Sequence, residues 1–223
     1  MINNFYKYTV FVFISLVLIG TFAVPIPTIP GLYDKARIIY LHVPMSWIAV
    51  LAFLLSMINS IQYLRKRDLV NDIKSLAANE VGFLFTILAT VTGALWSKFN
   101  WGTYWNWDPR QTSIFILLLI YGAYFALRSA VDNHEQKAKL ASVYAIIAFV
   151  TVPFFIFIMP RLTESLHPSD TIVDSQGKIS MNPVMFSVFM FSLFSFTLLF
   201  FWILDLRIRV EKLKLKRIQN INQ

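Results

Sequence analysis

The sequence predicts an all-α, polytopic integral membrane protein with six transmembrane helices and a tryptophan-rich loop on its outer face. Hydrophobic residues make up 57% of the 223 residues and charged residues only 14%, which is a more apolar composition than that of ordinary soluble domains. Six apolar runs are each long enough to cross a bilayer and leave only short connections. We therefore expect a single domain over residues 1–223, with the tryptophan-rich loop at about residues 96–112.

The apolar runs fall at about residues 5–24, 41–64, 78–96, 112–128, 140–159 and 183–204. The first run could be a signal peptide, but it is long and no clear small-x-small cleavage site precedes Pro25, so we expect a retained helix. Asp108 and Pro109 predict the start of the fourth helix, because aspartate is a good N-cap and proline suits the first helical position.

Two further prolines bear on the second and fifth helices. Pro44 is tolerable if it lies in the first turn of the second helix, which would put His42 at the outer mouth of that helix. Pro153 lies inside the fifth apolar run and predicts a kink there.

Lysine and arginine are distributed unequally between the two ends of these helices. Six spans put both termini on one side, and that side carries fourteen of the 20 basic residues, against six on the other. The positive-inside rule then predicts that both termini are cytoplasmic and that the connections at 25–40, 97–111 and 160–182 face outward. The net charge of +8 is accordingly attributed to topology and to contact with anionic membrane lipid, and no nucleic-acid partner is expected.

Missing residue types exclude several kinds of chemistry. The chain has no cysteine, so it forms no disulfide, no thiolate metal site and no C-x-x-C-H attachment of haem. It also lacks the G-x-x-x-x-G-K-[ST] phosphate loop, so it does not hydrolyse ATP by that route and any energy input must come from a partner.

Residues 96–108 contain four of the six tryptophans of the chain. Isolated tryptophans are usually part of an aromatic belt at the headgroup level, but a belt spreads around a protein, whereas these residues share one loop. If the loop is partly helical, Trp101, Trp105 and Asp108 lie on one face. Such an aromatic shelf suits a large, planar, apolar ligand, which gains both burial and ring stacking.

The histidines point to the nature of that ligand. His134 lies in a charged inner connection and is expected to be solvated, whereas topology puts His42 and His167 at the depth of the tryptophans. Although a lone histidine is more often a satisfied polar residue than a ligand, two imidazoles beside an aromatic shelf fit bis-histidine ligation of haem iron.

Zinc is the competing metal, but it usually takes three or four protein ligands. Carboxylates of the outer connections could complete such a set: Asp108, Glu164, Asp170 and Asp174. Haem propionates would need cationic partners. The outer candidates are Arg37, Lys98, Arg110 and Arg161, of which Arg110 and Arg37 rank first by their nearness in sequence to the tryptophans and to His42.

Four stretches resemble a known family. They are Arg37-Ile-Ile-Tyr-Leu-His42-Val-Pro44, Thr92-Gly-Ala-Leu-Trp96, Trp101-Gly102-Thr-Tyr104-Trp105-Asn-Trp107-Asp108 and Ser165-Leu-His167. In this order and over nearly the whole chain they look like the haem exporter protein C family (CcmC), within the CcmC, CcmF and CcsA group of cytochrome c maturation proteins. The W-G-x-x-W-x-W-D motif is the most specific of these signals.

The resemblance implies a multi-pass protein of the bacterial inner membrane that holds haem b transiently and non-covalently on the periplasmic face. His42 and His167 would be the axial ligands of the haem iron. The other haem-binding residues implied in this region are Trp96, Trp101, Gly102, Tyr104, Trp105, Trp107 and Asp108. The implied acceptor is the periplasmic haem chaperone CcmE, with the ABC transporter CcmA and CcmB and the small protein CcmD as accessory partners. This role is delivery, without catalysis.

Three rival functions remain at this stage. Tyr104 replaces a tryptophan usual in the family, and Asp108-Pro109-Arg110 is also similar to CcsA, so a CcsA-like subunit of a cytochrome c haem lyase is the alternative. A membrane cytochrome b is disfavoured because no histidine falls at mid-span. A transporter gated by the tryptophan loop is disfavoured because the spans nearly lack charges.

Overall fold

A computed structural model describes residues 2–27, 29, 32–167, 179 and 181–221. In order, its helices are α1 (Asn4–Ala23), a 3₁₀ segment (Tyr33–Ile38), α2 (Ile39–Lys66), α3 (Leu69–Trp101), α4 (Pro109–Ala130), α5 (His134–Pro153), a π-helical segment (Phe154–Ile158), α6 (Met159–Leu162) and α7 (Pro183–Ile221). Among the described residues, six helical stretches are long and apolar enough to cross a membrane. The prediction of an all-α polytopic membrane protein with six spans is confirmed.

Helices α3 and α7 extend beyond the apolar runs that predicted them. α3 covers Leu69–Trp101, so the first part of the predicted outer loop is helical. α7 is 39 residues long, which at 1.5 Å per residue is about 58 Å, roughly twice the hydrocarbon thickness. Hydropathy marks only the part of a helix that lies in lipid, whereas polar residues at either end continue the same helix.

The prediction that Pro44 lies in the first turn of its helix is wrong. α2 begins at Ile39, so Pro44 is inside the helix and cannot donate to the carbonyl of Tyr40, four residues earlier. The Ser192 hydroxyl of α7 donates to that carbonyl instead. A buried hydroxyl from another helix therefore satisfies the acceptor that proline leaves open, and His42 lies near the N-terminal end of α2.

The irregularity predicted at Pro153 takes the form of a π-helical segment. α5 ends at Pro153, and residues Phe154–Ile158 continue with the wider π spacing before α6. Proline removes one backbone donor, and the chain continues by a change of hydrogen-bond register. The segment packs against α4 and α6.

The core of the bundle forms where α2 crosses α3. The rings of Phe53 on α2 and Tyr121 on α4 stack with centroids 3.5 Å apart. At Gly82 of α3, a Cβ atom would lie 2.7 Å from the Phe53 ring, so only glycine allows this approach. Small residues at such crossings let membrane helices pack closely. α1 contributes Val17 to this core, and the hydroxyl of Tyr6 donates to the carbonyl of Leu198 on α7.

The connections that carry the candidate site meet at one end of the bundle. The ammonium group of Lys35, in the 3₁₀ segment, donates to the carbonyl of Phe99 near the end of α3, at 2.8 Å. The Ser165 hydroxyl, after α6, donates to the Asp108 carboxylate at the start of α4, at 2.9 Å. The fold thus brings three segments that are distant in sequence to a common end.

A buried ion pair fastens α3 to α4 at the opposite end of the bundle. Arg128 donates to both carboxylate oxygens of Asp72, at 2.6 and 2.9 Å, and both side chains are nearly buried, at 12% and 11% exposure. Asp72 lies in the first turn of α3 and Arg128 in the last turn of α4. Each charge therefore also has the sign that its helix dipole favours.

We expect Asp72→Asn to lower the free energy of unfolding by about 3–5 kcal/mol, because it leaves the Arg128 charge buried without its carboxylate. Unfolding in mixed detergent micelles measures this. Asp205→Asn is the matched control, since Asp205 pairs with Arg209 at about one-third exposure and its loss should cost less than about 1 kcal/mol. Equal effects of the two changes would contradict the assignment.

Candidate functional site

His42 lies near the N-terminal end of α2, and its imidazole packs against α3. Its Nδ1 is 2.9 Å from the hydroxyl oxygen of Thr92. A Cβ atom added to Gly93 would lie 3.0 Å from Cε1 of the same ring. The imidazole therefore occupies the space that the absent side chain of Gly93 leaves free.

His167 lies in the short segment after α6 and packs against Trp96 and Trp101 of α3. Its ring centroid is 5.4 Å from that of Trp96 and 4.9 Å from that of Trp101, with the second contact edge to face. Trp96 follows Gly93 by three residues, so the two positions are neighbours on the surface of α3. α3 thus contacts both histidines.

Asp108 connects the three segments of the site. Its side chain is fully buried and accepts hydrogen bonds from four groups. These are the backbone N–H of Arg110 at 2.9 Å, the Ser165 hydroxyl at 2.9 Å, the backbone N–H of Leu166 at 2.7 Å and Nδ1 of His167 at 3.0 Å. The Arg110 bond is the predicted N-cap of α4; the other three fix the segment that carries His167.

Burial and hydrogen bonding act in opposite directions on the Asp108 carboxyl group. Burial alone would raise its pKa, but the backbone N–H groups of Arg110 and Leu166 and the Ser165 hydroxyl outweigh burial, so the pKa of Asp108 lies below its usual range. Burial lowers the pKa of His167, and this effect outweighs the opposing effect of Asp108. At neutral pH the pair is therefore a carboxylate and a neutral imidazole.

A neutral imidazole carries one proton, and its hydrogen-bond partner decides which nitrogen holds it. The ionised Asp108 can only accept, so Nδ1 of His167 carries the proton and Nε2 keeps its lone pair. Nε2 is then free to bind a metal ion. A carboxylate that accepts from a histidine in this way orients the ring and raises its basicity as a ligand.

The tryptophans divide into two groups instead of forming one shelf. Trp96 and Trp101 contact His167, whereas Trp105 packs edge to face against Trp107 and against Phe115 of α4. The sequence expectation of one helical face through Trp101, Trp105 and Asp108 is wrong, because α3 ends at Trp101 and residues 102–108 are not helical.

Glycine and tryptophan adopt left-handed backbone conformations in this loop. Gly102 has φ +82° and ends α3, as glycine commonly does at helix C-termini. Trp107 has φ +56°, which is unfavourable for a bulky residue, and its side chain is 69% exposed. Tyr104 is also exposed, at 57%, so the loop presents two aromatic side chains at the surface. An open cleft of about 400 Å³ lies beside Trp107 and Asp108 and extends to Leu166.

The basic residues near the candidate site differ in their hydrogen-bond partners. Arg37 donates to the carbonyls of Thr21 and Val24, at 3.0 and 2.6 Å, and so caps the C-terminus of α1. Lys98 donates to the carbonyl of Gly102. Arg110 is half-buried, and its Nε has no hydrogen-bond partner among the described residues. Arg110 is therefore the basic residue best placed to bind an anion at this site.

Within the described part of the chain, no group of three histidine or carboxylate side chains could hold a metal ion. This finding counts against the zinc alternative among those residues. Asp170 and Asp174, which were considered as further zinc ligands, lie outside the described residues.

Sequence reasoning did not identify Thr92, Gly93 and Ser165 as partners of the two histidines. Threonine, glycine and serine are common in membrane helices and loops, and nothing in their spacing distinguishes these three. The one available signal was their position, because Thr92 and Gly93 precede Trp96 by one helical turn and Ser165 precedes His167 by two residues.

We expect Asp108→Asn to loosen the segment that carries His167 without unfolding α4. Asparagine caps a helix about as well as aspartate, but it has a single acceptor oxygen and no charge for its three other partners. Hydrogen exchange of the Leu166 amide should accelerate by about 10- to 100-fold, as expected for losing bonds to a charged acceptor. Glu164→Gln, on an exposed neighbour, is the control and should leave this exchange unchanged.

Individual relatives of the chain are bacterial proteins called heme exporter protein C. The chain is 34% identical over 142 residues to that of Paracoccus denitrificans, covering 64% of this chain and 59% of that protein. It is 33% identical over 136 residues to the protein of Rhodobacter capsulatus, covering 61% of this chain and 56% of that protein. It is 32% identical over 158 residues to the protein of Escherichia coli (strain K12), covering 70% of this chain and 64% of that protein. These matches span about three-fifths of the length of the relatives.

Comparison with protein families covers more of the chain than any of these pairwise matches. The family model described as "Heme exporter protein C" matches residues 1–223. Because the family model matches the whole chain, the protein belongs to the Heme exporter protein C family.

Proposed function

We propose that this protein binds haem b non-covalently on the outer face of the membrane, through Nε2 of His42 and of His167, and delivers it for cytochrome c maturation. The observation that carries the proposal is the geometry of the two imidazoles. Each directs Nδ1 to an oxygen acceptor of the protein, at 2.9 and 3.0 Å, and leaves Nε2 for a metal. Membership of a family described as a haem exporter supports haem as the ligand.

The surroundings of the histidines suit a porphyrin. Histidine is a common axial ligand of haem iron, and Trp96 and Trp101 supply aromatic surface beside His167, which favours a flat, apolar ring. Tyr104 and Trp107, exposed at the same loop, add aromatic surface at its edge. The Arg110 guanidinium, with its free Nε, is the proposed partner of a propionate, since arginine pairs well with carboxylates.

Arg37 is less suited to the propionate role that its sequence position suggested. Its guanidinium already binds two carbonyls of α1 and the carboxylate of Asp34. A propionate would have to compete with these acceptors. We therefore propose that Arg37 fixes the segment before His42, and that Arg110 is the contact to haem.

The role we propose is delivery, with no catalysis by this chain. The acceptor would be a periplasmic haem chaperone of the CcmE kind, and CcmA, CcmB and CcmD would be accessory partners. Relatives in bacteria are called exporters, which favours delivery over the CcsA-like lyase alternative. The distribution of basic residues supports a location in the bacterial inner membrane with both termini in the cytoplasm.

Histidine substitutions test the proposal. Protein purified in detergent and supplied with haemin should show a six-coordinate, low-spin absorption spectrum. His42→Ala and His167→Ala should each lower the haem-to-protein ratio by at least about tenfold, a loss of ~1.4 kcal/mol or more. His134→Ala is the matched control, because His134 is exposed at the start of α5. If both alanine variants keep the haem content and spectrum of the unaltered protein, the ligand assignment is wrong.

Single cysteines test the orientation, since the native chain has no cysteine to contribute background labelling. We expect Thr163→Cys, after α6, to react with a membrane-impermeant maleimide in intact spheroplasts. Asp132→Cys, between α4 and α5, should react only after the membrane is permeabilised. Both positions are exposed, so a difference reports sidedness. The reverse pattern would put the candidate site on the cytoplasmic face.

A further inference from the structure

We infer that Thr92 and Gly93 of α3 are positioning residues that orient the His42 imidazole and determine which of its nitrogens faces the ligand. The inference rests on the proposed function and extends it, because it assigns a role to two residues that do not themselves touch the iron. It follows from two independent contacts of the same ring, one polar and one steric.

The polar contact fixes the proton of His42. The Thr92 hydroxyl oxygen lies 2.9 Å from Nδ1 of His42 and 2.8 Å from the carbonyl oxygen of Leu88, one turn earlier in α3. Two oxygens at that separation repel unless a proton lies between them, and a carbonyl has none to give. The Ala89 carbonyl oxygen, at 3.1 Å, is a second acceptor for the same hydroxyl. The hydroxyl proton therefore goes to one of these two carbonyls, and Thr92 accepts from Nδ1. His42 then keeps its lone pair on Nε2.

The steric contact fixes the depth of the ring. A Cβ atom at position 93 would lie 3.0 Å from Cε1, 3.6 Å from Nδ1 and 3.8 Å from Nε2 of His42. Cε1 joins the two ring nitrogens, so a methyl group there would push both of them away from α3. The displacement would also lengthen the bond to Thr92, which is already at an ordinary hydrogen-bond distance.

Glycine is common in membrane helices, so the evidence for a role of Gly93 is what surrounds it. The three nearest atoms to its absent side chain all belong to His42. Gly122, inside α4, differs because a Cβ atom there would meet nothing within 4 Å. The two glycines therefore form a matched pair, one beside the imidazole and one in open space.

Thr90 gives the same kind of control for Thr92. Its hydroxyl donates to the carbonyl of Thr86, as that of Thr92 donates to Leu88, both at 2.8 Å, and both threonines are half-buried. Only Thr92 has the additional contact with a histidine ring. Thr92→Val and Thr90→Val thus each remove a hydroxyl that donates to a carbonyl of α3, and only Thr92→Val also removes the contact with His42.

Titration of the purified full-length protein with haemin tests the inference. Thr92→Val and Gly93→Ala should each weaken haemin binding by about 10- to 100-fold, the range typical for removing a partner of a ligating histidine. Both should also convert part of the low-spin spectrum to a high-spin one, which a merely structural role would not do. Thr92→Ser keeps the hydroxyl and should restore the low-spin spectrum. Thr90→Val and Gly122→Ala should match the unaltered protein in both readouts.

The outcomes separate this inference from the proposed function. If the unaltered protein does not bind haemin, or if His42→Ala keeps its affinity and spectrum, the proposed function is wrong and the inference fails with it. If His42→Ala loses the low-spin spectrum while Thr92→Val and Gly93→Ala match their controls, only the inference is overturned. If each variant unfolds at the same temperature as its control but binds haemin more weakly, the result supports a positioning role for Thr92 and Gly93.

Discussion

The hydrogen bonds to the Asp108 carboxylate hold together the end of the bundle that carries the candidate site. Asp108 belongs to the start of α4, yet its side chain also fixes Ser165, Leu166 and His167, more than 50 residues later in the chain. Because the carboxylate is buried, each of its lone pairs needs a donor, and the site supplies four. The cap of α4, the path of the chain after α6 and the orientation of the His167 imidazole therefore all depend on this one carboxylate.

Most of the fold could be predicted because lipid imposes a simple rule on it. Each span must form its backbone hydrogen bonds internally and expose apolar side chains, so the apolar runs revealed all six spans. What hydropathy could not reveal depends on contacts between helices. Pro44 is tolerated inside α2 because Ser192, on α7, donates to the carbonyl that proline leaves open. The pairing of Asp72 with Arg128 likewise joins two helices through residues that each look like ordinary end charges.

The sequence predicted which segments meet at the candidate site, but it did not predict the contacts between their side chains. Topology alone grouped His42 and His167 with the tryptophans, because all of them fall in or near outward connections. It could not reveal that Trp96 and Trp101 pack on His167 while Trp105 and Trp107 pack on each other, since that depends on α3 ending at Trp101. The capping of α1 by Arg37 was hidden for the same reason.

The two histidines are held by backbones of very different stiffness. His42 lies within α2, whose backbone hydrogen bonds run largely within the helix, while the Tyr40 carbonyl that Pro44 leaves open accepts from Ser192. In a bilayer such bonds cannot be exchanged for bonds to water. His167 lies in a non-helical segment after α6 that is fixed largely by side-chain acceptors on Asp108 and Ser165. At an aqueous surface such bonds can be exchanged for bonds to water at a small net cost. For the haem delivery that we propose, which requires both binding and release, the smaller rearrangement is therefore at His167, and the ionised Asp108 is the group that opposes it.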